Sequence, residues 1–104
     1  MRSYELVLIL RPDLDKSAYG ELREKISSLL SKEEGKLSSW QIWKEKQRFS
    51  YPLRLRGAEK KKFTEGTYIL CSLLLSPSKM KSLKYTLDLE ERIIRYLIVN
   101  KEAR

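Results

Sequence analysis

The residues best suited to chemistry lie between positions 44 and 62. This stretch holds Lys44, Lys46, Arg48, Arg54, Arg56, Lys60, Lys61 and Lys62 against only Glu45 and Glu59. A surplus of six positive charges, out of a formal net charge of +8, therefore sits in 19 of 104 residues. Crowded cations of this kind make and break no bonds. They recognise anions, and the arginine fork matches the oxygens of a phosphate. Within the stretch Phe49, Tyr51, Leu53 and Leu55 alternate with Arg48, Ser50, Pro52, Arg54 and Arg56. A period of two sends the two sets to opposite faces of a strand. A strand that buries its apolar set and holds Arg48 and Arg54 toward solvent suits a polyanion, with RNA the leading candidate.

Catalytic groups are missing from the same inventory. The chain has no histidine, so the commonest general base and metal ligand is absent. Its one cysteine, Cys71, excludes an internal disulfide and, within an apolar run, reads as an inert core residue. There is no glycine-rich phosphate loop, no pair of cysteine ligands and no acidic metal loop. The pairs Glu33-Glu34 and Glu90-Glu91 read as solvated charges. The expectation is a binding module: not an enzyme, with no cofactor, metal or small-molecule substrate. No apolar run approaches the length of a membrane span, and the start lacks a signal-peptide core, so cytoplasmic residence without a membrane partner is expected.

A chain of this length is expected to form one domain over residues 1–104. Residues 4–10 alternate as a strand, with Leu6, Leu8 and Leu10 on one face and Glu5, Val7 and Ile9 on the other. A helix follows over about 14–33, where Ala18, Leu22, Ile26, Leu29 and Leu30 recur at helical spacing. Asp13 or Asp15 can cap its start, and Gly35 stands where a left-handed residue often ends a helix. Residues 36–56 form a long extended region whose apolar phase shifts between Trp40 and Phe49, which calls for a bulge. Residues 57–65 read as a charged loop and 66–75 as the third strand. Ser76-Pro77 opens a second helix with Met80, Leu83 and Leu87 as its stripe. Residues 93–99 make the last strand, and 101–104 a fraying tail.

The order strand, helix, strand, strand, helix, strand predicts an α+β fold of the ferredoxin-like βαββαβ type. It has one four-stranded antiparallel sheet with two helices on one face. Right-handed crossovers are expected to set the first and last strands together at the centre. The face without helices should be polar. Instead it would carry Val7, Ile9, Tyr68, Leu70, Leu74, Leu97 and Val99, with Arg48, Arg54 and Arg95 on the same side. An apolar centre with basic residues around it marks an interaction surface, assigned here to Tyr68, Leu70, Leu97 and Val99.

Several runs resemble a known family. They are the start Met1-Arg2-Ser3-Tyr4-Glu5, the run Phe49-Ser50-Tyr51-Pro52-Leu53 after basic residues, Gly66 leading into an aromatic strand, and Ile94-Arg95-Tyr96-Leu97-Ile98-Val99. Their order and spacing are similar to the bacterial small-subunit ribosomal protein six family over nearly the whole chain. The resemblance implies a ferredoxin-like fold. It also implies binding to the central domain of small-subunit ribosomal RNA together with small-subunit protein eighteen. By position, it makes Arg2, Lys46, Arg48 and Arg95 the candidates for RNA or partner contact. The chain departs from the family at 44–48, where Lys-Glu-Lys-Gln-Arg replaces a glycine followed by two basic residues, and at Ser50, where the family has alanine.

Two rival readings remain at this level. A homo-oligomeric ferredoxin-like domain could cover the apolar face with a second copy and have no RNA role. A reader of the RNA-recognition-motif type would display stacking aromatics on its central strands. The last strand offers Arg95, Leu97 and Val99, which argues against base stacking.

Overall fold

The computed structural model describes residues 1–54 and 62–101. Leu55, Arg56, the remainder of the expected loop at 57–61, the tail at 102–104 and the side chain of Arg54 lie outside the described residues. The elements are β1 (Arg2–Leu10), α1 (Lys16–Lys32), β2 (Lys36–Arg54), β3 (Lys62–Leu75), a single 3-10 turn (Pro77–Lys79), α2 (Met80–Leu89) and β4 (Ile93–Asn100). They make the ferredoxin-like arrangement of one antiparallel sheet. The third strand begins earlier than its sequence suggests, because Lys62 to Glu65 stay paired with β2 instead of looping out.

Strand order is β2-β3-β1-β4, which corrects one expectation. The first and last strands are neighbours, but the centre belongs to β1 and β3, and β4 is an edge. Each helical crossover spans one intervening strand. The β2–β3 hairpin folds β3 back between β1 and β2, while α2 carries β4 to the far side of β1.

The alternation of β1 and β3 fixes which side is covered. Leu6, Leu8 and Leu10 pack with Ile69, Cys71, Leu73 and Leu75, and all seven are fully buried. Onto them fall Leu22, Ile26 and Leu30 of α1 and Leu83 and Leu87 of α2, which recur every three or four residues as a buried stripe requires. Tyr19 completes the α1 stripe, where Ala18 is only half-buried. Burial pushes the Cys71 thiol up to about 12, so it stays a neutral core group at any physiological pH.

Helix ends follow local chemistry. Asp15 caps α1, its carboxylate accepting from the Ala18 N–H at 2.8 Å. At the other end the left-handed residue is Glu34 (φ 62°), not Gly35. The Glu34 and Gly35 amides close on the carbonyls of Ser31 and Leu30, a Schellman turn with Gly35 one place further on. Gly35 is needed for a different reason: a Cβ there would stand 2.5 Å from the Leu74 carbonyl oxygen, so the chain could not enter β2 so close to β3. Pro77 begins the 3-10 turn that leads into α2, and Ser76 precedes it without a capping hydrogen bond.

The acidic pairs are not uniformly solvated. Glu33 is half-buried and meets Lys79 at 3.4 Å. Glu90 is only 8% exposed. Its carboxylate receives Lys25 Nζ at 2.8 Å, the Arg92 backbone N–H at 3.2 Å and the Arg92 guanidinium at 3.4 Å. Arg92 in turn holds Glu21 at 2.9 Å, so α1 is tied to the turn between α2 and β4. Burial alone would raise the Glu90 pKa. The Lys25 hydrogen bond, the Arg92 amide and the two cationic charges outweigh it, and the net direction is down from 4.5. A depressed carboxyl contributes stability above its unfolded value and loses it as pH falls through the folded value. Glu90→Gln should therefore lower stability by a constant amount above about pH 4.5, and the difference from the parent should shrink on acidification below that value. Denaturant melts of both proteins across this range test it; a gap that widens as pH falls would contradict it.

Candidate nucleic-acid and partner interface

Residues directly opposite one another in an antiparallel sheet share a face. The register therefore sets out the uncovered face row by row, in strand order. One row is Lys44, Tyr68, Ile9 and Arg95. The next is Gln41, Leu70, Val7 and Leu97, followed by Ser39, Ser72, Glu5 and Val99, and then Lys36, Leu74 and Ser3. No helix lies over these rows. Val7, Ile9, Tyr68, Leu70, Leu74 and Val99 are half-buried by their own neighbours, and Leu97 is 60% exposed. The four residues assigned to a partner surface thus stand on one continuous apolar band.

Cations end the first row on both sides. Arg95 is half-buried beside Ile9 and donates to the Ile94 carbonyl at 2.7 Å. Lys44 stands at the β2 end, its ammonium 5.8 Å from the centre of the Trp43 ring. At the opposite end of the sheet, Lys101 reaches back across β1 to donate to Ser72 Oγ at 3.0 Å. Arg2 is exposed at that same end, but its pairing with the fully buried Leu75 puts it on the side the helices cover. It therefore lies at the other end of the sheet from Lys46 and Arg48, near the β2–β3 hairpin, and from Arg95 on the β4 edge.

β2 departs from its register with β3 at four places, Leu37/Ser39, Ile42/Lys44, Lys44/Gln47 and Arg48/Leu53, and the last two shape the hairpin end. Lys44 to Gln47 is three steps against two from Tyr68 to Gly66, so one residue is extra. At this bulge Lys46 takes φ 46°, a conformation that normally falls to glycine and costs other residues roughly 1–2 kcal/mol. Its amide donates to Thr67 Oγ1 at 3.2 Å, and Tyr19 of α1 donates to the same oxygen at 3.2 Å. Thr67 is fully buried, so one hydroxyl on the central strand β3 ties the bulge to the helix. This bond holds Lys46 in the strained backbone geometry.

The second insertion is larger. Arg48 to Leu53 is five steps against two from Glu65 to Phe63, which leaves three extra residues. The strict alternation expected here therefore breaks. Phe49 folds over Gly66, where a Cβ would stand 2.8 Å from the ring and 2.9 Å from Ile9 Cγ2. Phe49 and Leu53 join Ile9, Phe63 and Ile94 in a second, small cluster of their own. Tyr51 is 70% exposed instead of buried with them. Between the bulged segment and the sheet lies an open hollow of about 440 Å³, bordered by Trp43, Lys44, Arg48, Phe49, Tyr51 and Tyr68. Arg48 and Phe49 line the same hollow and are not segregated to opposite sides. The sequence marked Lys44 as one of the basic run but not as a site residue, and did not single out Trp43; the bulge gathers both with Tyr68. The central strand β3 does display an aromatic, Tyr68, so the argument against base stacking from the last strand alone does not carry over. Among the described residues no cluster of metal-ligating side chains occurs.

Comparison with known proteins adds the relatives. Residues 3–100 match the family model described as Ribosomal protein S6. The small ribosomal subunit protein bS6 of Moorella thermoacetica is 32% identical over 102 residues, covering 98% of this chain and 96% of that protein. The bS6 protein of Symbiobacterium thermophilum is 34% identical over 99 residues, covering 95% and 96%. Among solved structures, the 30S ribosomal protein S6 of Thermotoga maritima superposes with a TM-score of 0.77 at 22% identity, covering 97% of this chain and 88% of that one. That likeness bears on the fold.

The two sheet faces separate cleanly in a pair of substitutions. Leu97→Glu places a charge where the side chain is already 60% exposed, and stability should change by no more than about 0.5 kcal/mol. Leu73→Glu removes a fully buried side chain worth roughly 1.5–3 kcal/mol and adds the cost of an unpaired buried carboxyl. It should abolish cooperative unfolding. Thermal melts of both variants decide the assignment; the opposite pattern would mean that the faces are reversed.

Proposed function

The chain belongs to the ribosomal protein S6 family of the small ribosomal subunit, and we propose that its uncovered sheet face and β2–β3 hairpin join the central domain of small-subunit ribosomal RNA to small-subunit protein eighteen. The family is structural and not enzymatic. The observation that carries the reading is the row pattern: an apolar band that two helices cannot reach, ended by Lys44 and Arg95. Tyr68, Leu70, Leu97 and Val99 suit a protein surface, because buried apolar area drives association while a charged rim sets register. Lys46, Arg48 and, by its place in the sequence, Arg54 suit phosphates near the hairpin, and Arg95 suits one at the β4 edge. Arg2 suits a second backbone contact at the other end of the sheet.

RNA affinity on this reading is largely electrostatic. Each neutralised phosphate releases counterions and steepens the fall of log K with log salt. Replacing Arg48 and Arg54 together by alanine should flatten that slope by about two and leave the melt unchanged. Leu97→Glu should keep RNA binding by the protein alone and lose about 10- to 100-fold in joint binding with protein eighteen, the equivalent of one buried leucine. Filter binding of a central-domain RNA fragment, with and without protein eighteen, reads both effects. Affinity that does not vary with salt would contradict the RNA assignment. Joint binding unchanged in Leu97→Glu would remove the band from the partner surface, and a tight homodimer that blocks both would favour self-association.

A further inference from the structure

We propose that the hollow under the bulged segment of β2 takes a single unpaired nucleobase of RNA, with its phosphate on Lys44 and Arg48. This deepens the RNA reading above and rests on it.

Three observations carry the proposal. The first is ring geometry. Trp43 stands against Tyr68 at 86° with 6.1 Å between centroids, and Phe49 at 66° with 6.5 Å. Rings set at steep angles to one another form the walls of a box and do not fill it as a stack would. A flat aromatic heterocycle fits such a box by stacking on one wall and meeting the edges of the others. The second is exposure. Trp43 is 55% exposed and Tyr51 70% exposed, so broad aromatic surface remains open beside the hollow. The second insertion of β2 creates this arrangement: without its three extra residues Tyr51 would follow the strand and the hollow would be lost.

The third is charge. Lys44 and Arg48 border the hollow, and no carboxylate does among the described residues. The Lys44 ammonium stays over the Trp43 ring, a contact that keeps the cation at the rim beside the aromatic wall. A base on the ring and a phosphate on the ammonium are consecutive parts of one nucleotide. Gln47 also lines the hollow and can exchange hydrogen bonds with the edge of a base. An apolar peptide would satisfy the rings but leave the cations unanswered. Duplex RNA would satisfy the cations, but its bases are stacked away from the protein.

The test compares a short unstructured RNA carrying 2-aminopurine with the same sequence as a full duplex. It uses the complete chain and the variants Trp43→Ala and Trp43→Phe. The parent should bind the single strand more tightly and quench the 2-aminopurine emission. Trp43→Ala should lose about 10- to 100-fold for the single strand, lose the quenching and keep its duplex affinity and its melt. Trp43→Phe should restore most of the single-strand affinity, which a purely structural role for the indole would not predict. Equal binding of both RNAs, with Trp43→Ala neutral, would overturn the proposal and leave the electrostatic RNA reading standing. Failure to bind either RNA at low salt would overturn both. A Trp43→Ala defect confined to capture of the protein partner would assign the hollow to a peptide, and overturn the proposal in that way.

Discussion

The unbroken register of β1 against β3 governs the rest of the structure. Nine consecutive pairs, from Arg2 with Leu75 to Leu10 with Thr67, run without a bulge. Because side chains alternate, this ladder decides at once that Leu6, Leu8, Ile69 and Leu73 meet the helices and that Val7, Ile9, Tyr68 and Leu70 do not. A slip by one residue would bring the polar Glu5 and Ser72 into the core and expel the leucines. Two helices cannot cover both sides of four strands, so a ladder with apolar residues on both faces leaves one apolar face to be covered by something else. The candidate interface is a consequence of that mismatch.

The edge strand supplies what the regular ladder cannot. β2 is 19 residues long, and its insertions let it bend over the sheet. The insertion at Lys44 to Gln47 is fastened by the Thr67 hydroxyl, shared between Tyr19 and the Lys46 amide. That bond offsets part of the cost of a lysine in left-handed geometry. The insertion at Arg48 to Leu53 is fastened by Phe49 on Gly66, a site open only because glycine has no side chain. Aromatic and basic groups from one strand are thereby brought against Tyr68 of another. Their juxtaposition depends on two local anchors, while the apolar band depends on the global ladder.

The sequence makes the second of these easier to read than the first. Period-two and helical spacing over 4–10, 66–75 and the two helical stripes survive in the fold because packing rewards each residue separately. The sense of the uncovered face followed from them, including Tyr68, Leu70, Leu97 and Val99. Strand order did not follow, since no local pattern distinguishes a central strand from an edge strand that is apolar on both faces. The alternation from Arg48 to Arg54 was misleading because three inserted residues change facing without changing composition. Glu90 read as solvated because its principal partner, Lys25, is 65 residues away on another element. Gly35 was recognised as necessary for the wrong reason: the left-handed turn belongs to Glu34, and the glycine permits close approach of Leu74.

On the proposed function, binding takes place on the face the helices leave open. Backbone amide chemical shifts, followed by NMR as the central-domain RNA and protein eighteen are added, test it most directly. The predicted changes fall on Trp43 to Arg48, on Tyr68 and Leu70, and on Arg95, Leu97 and Val99. The outward surfaces of α1 and α2 should stay unperturbed. Shifts concentrated on those helical surfaces, with the rows from Lys44 to Arg95 and from Gln41 to Leu97 unchanged, would contradict it.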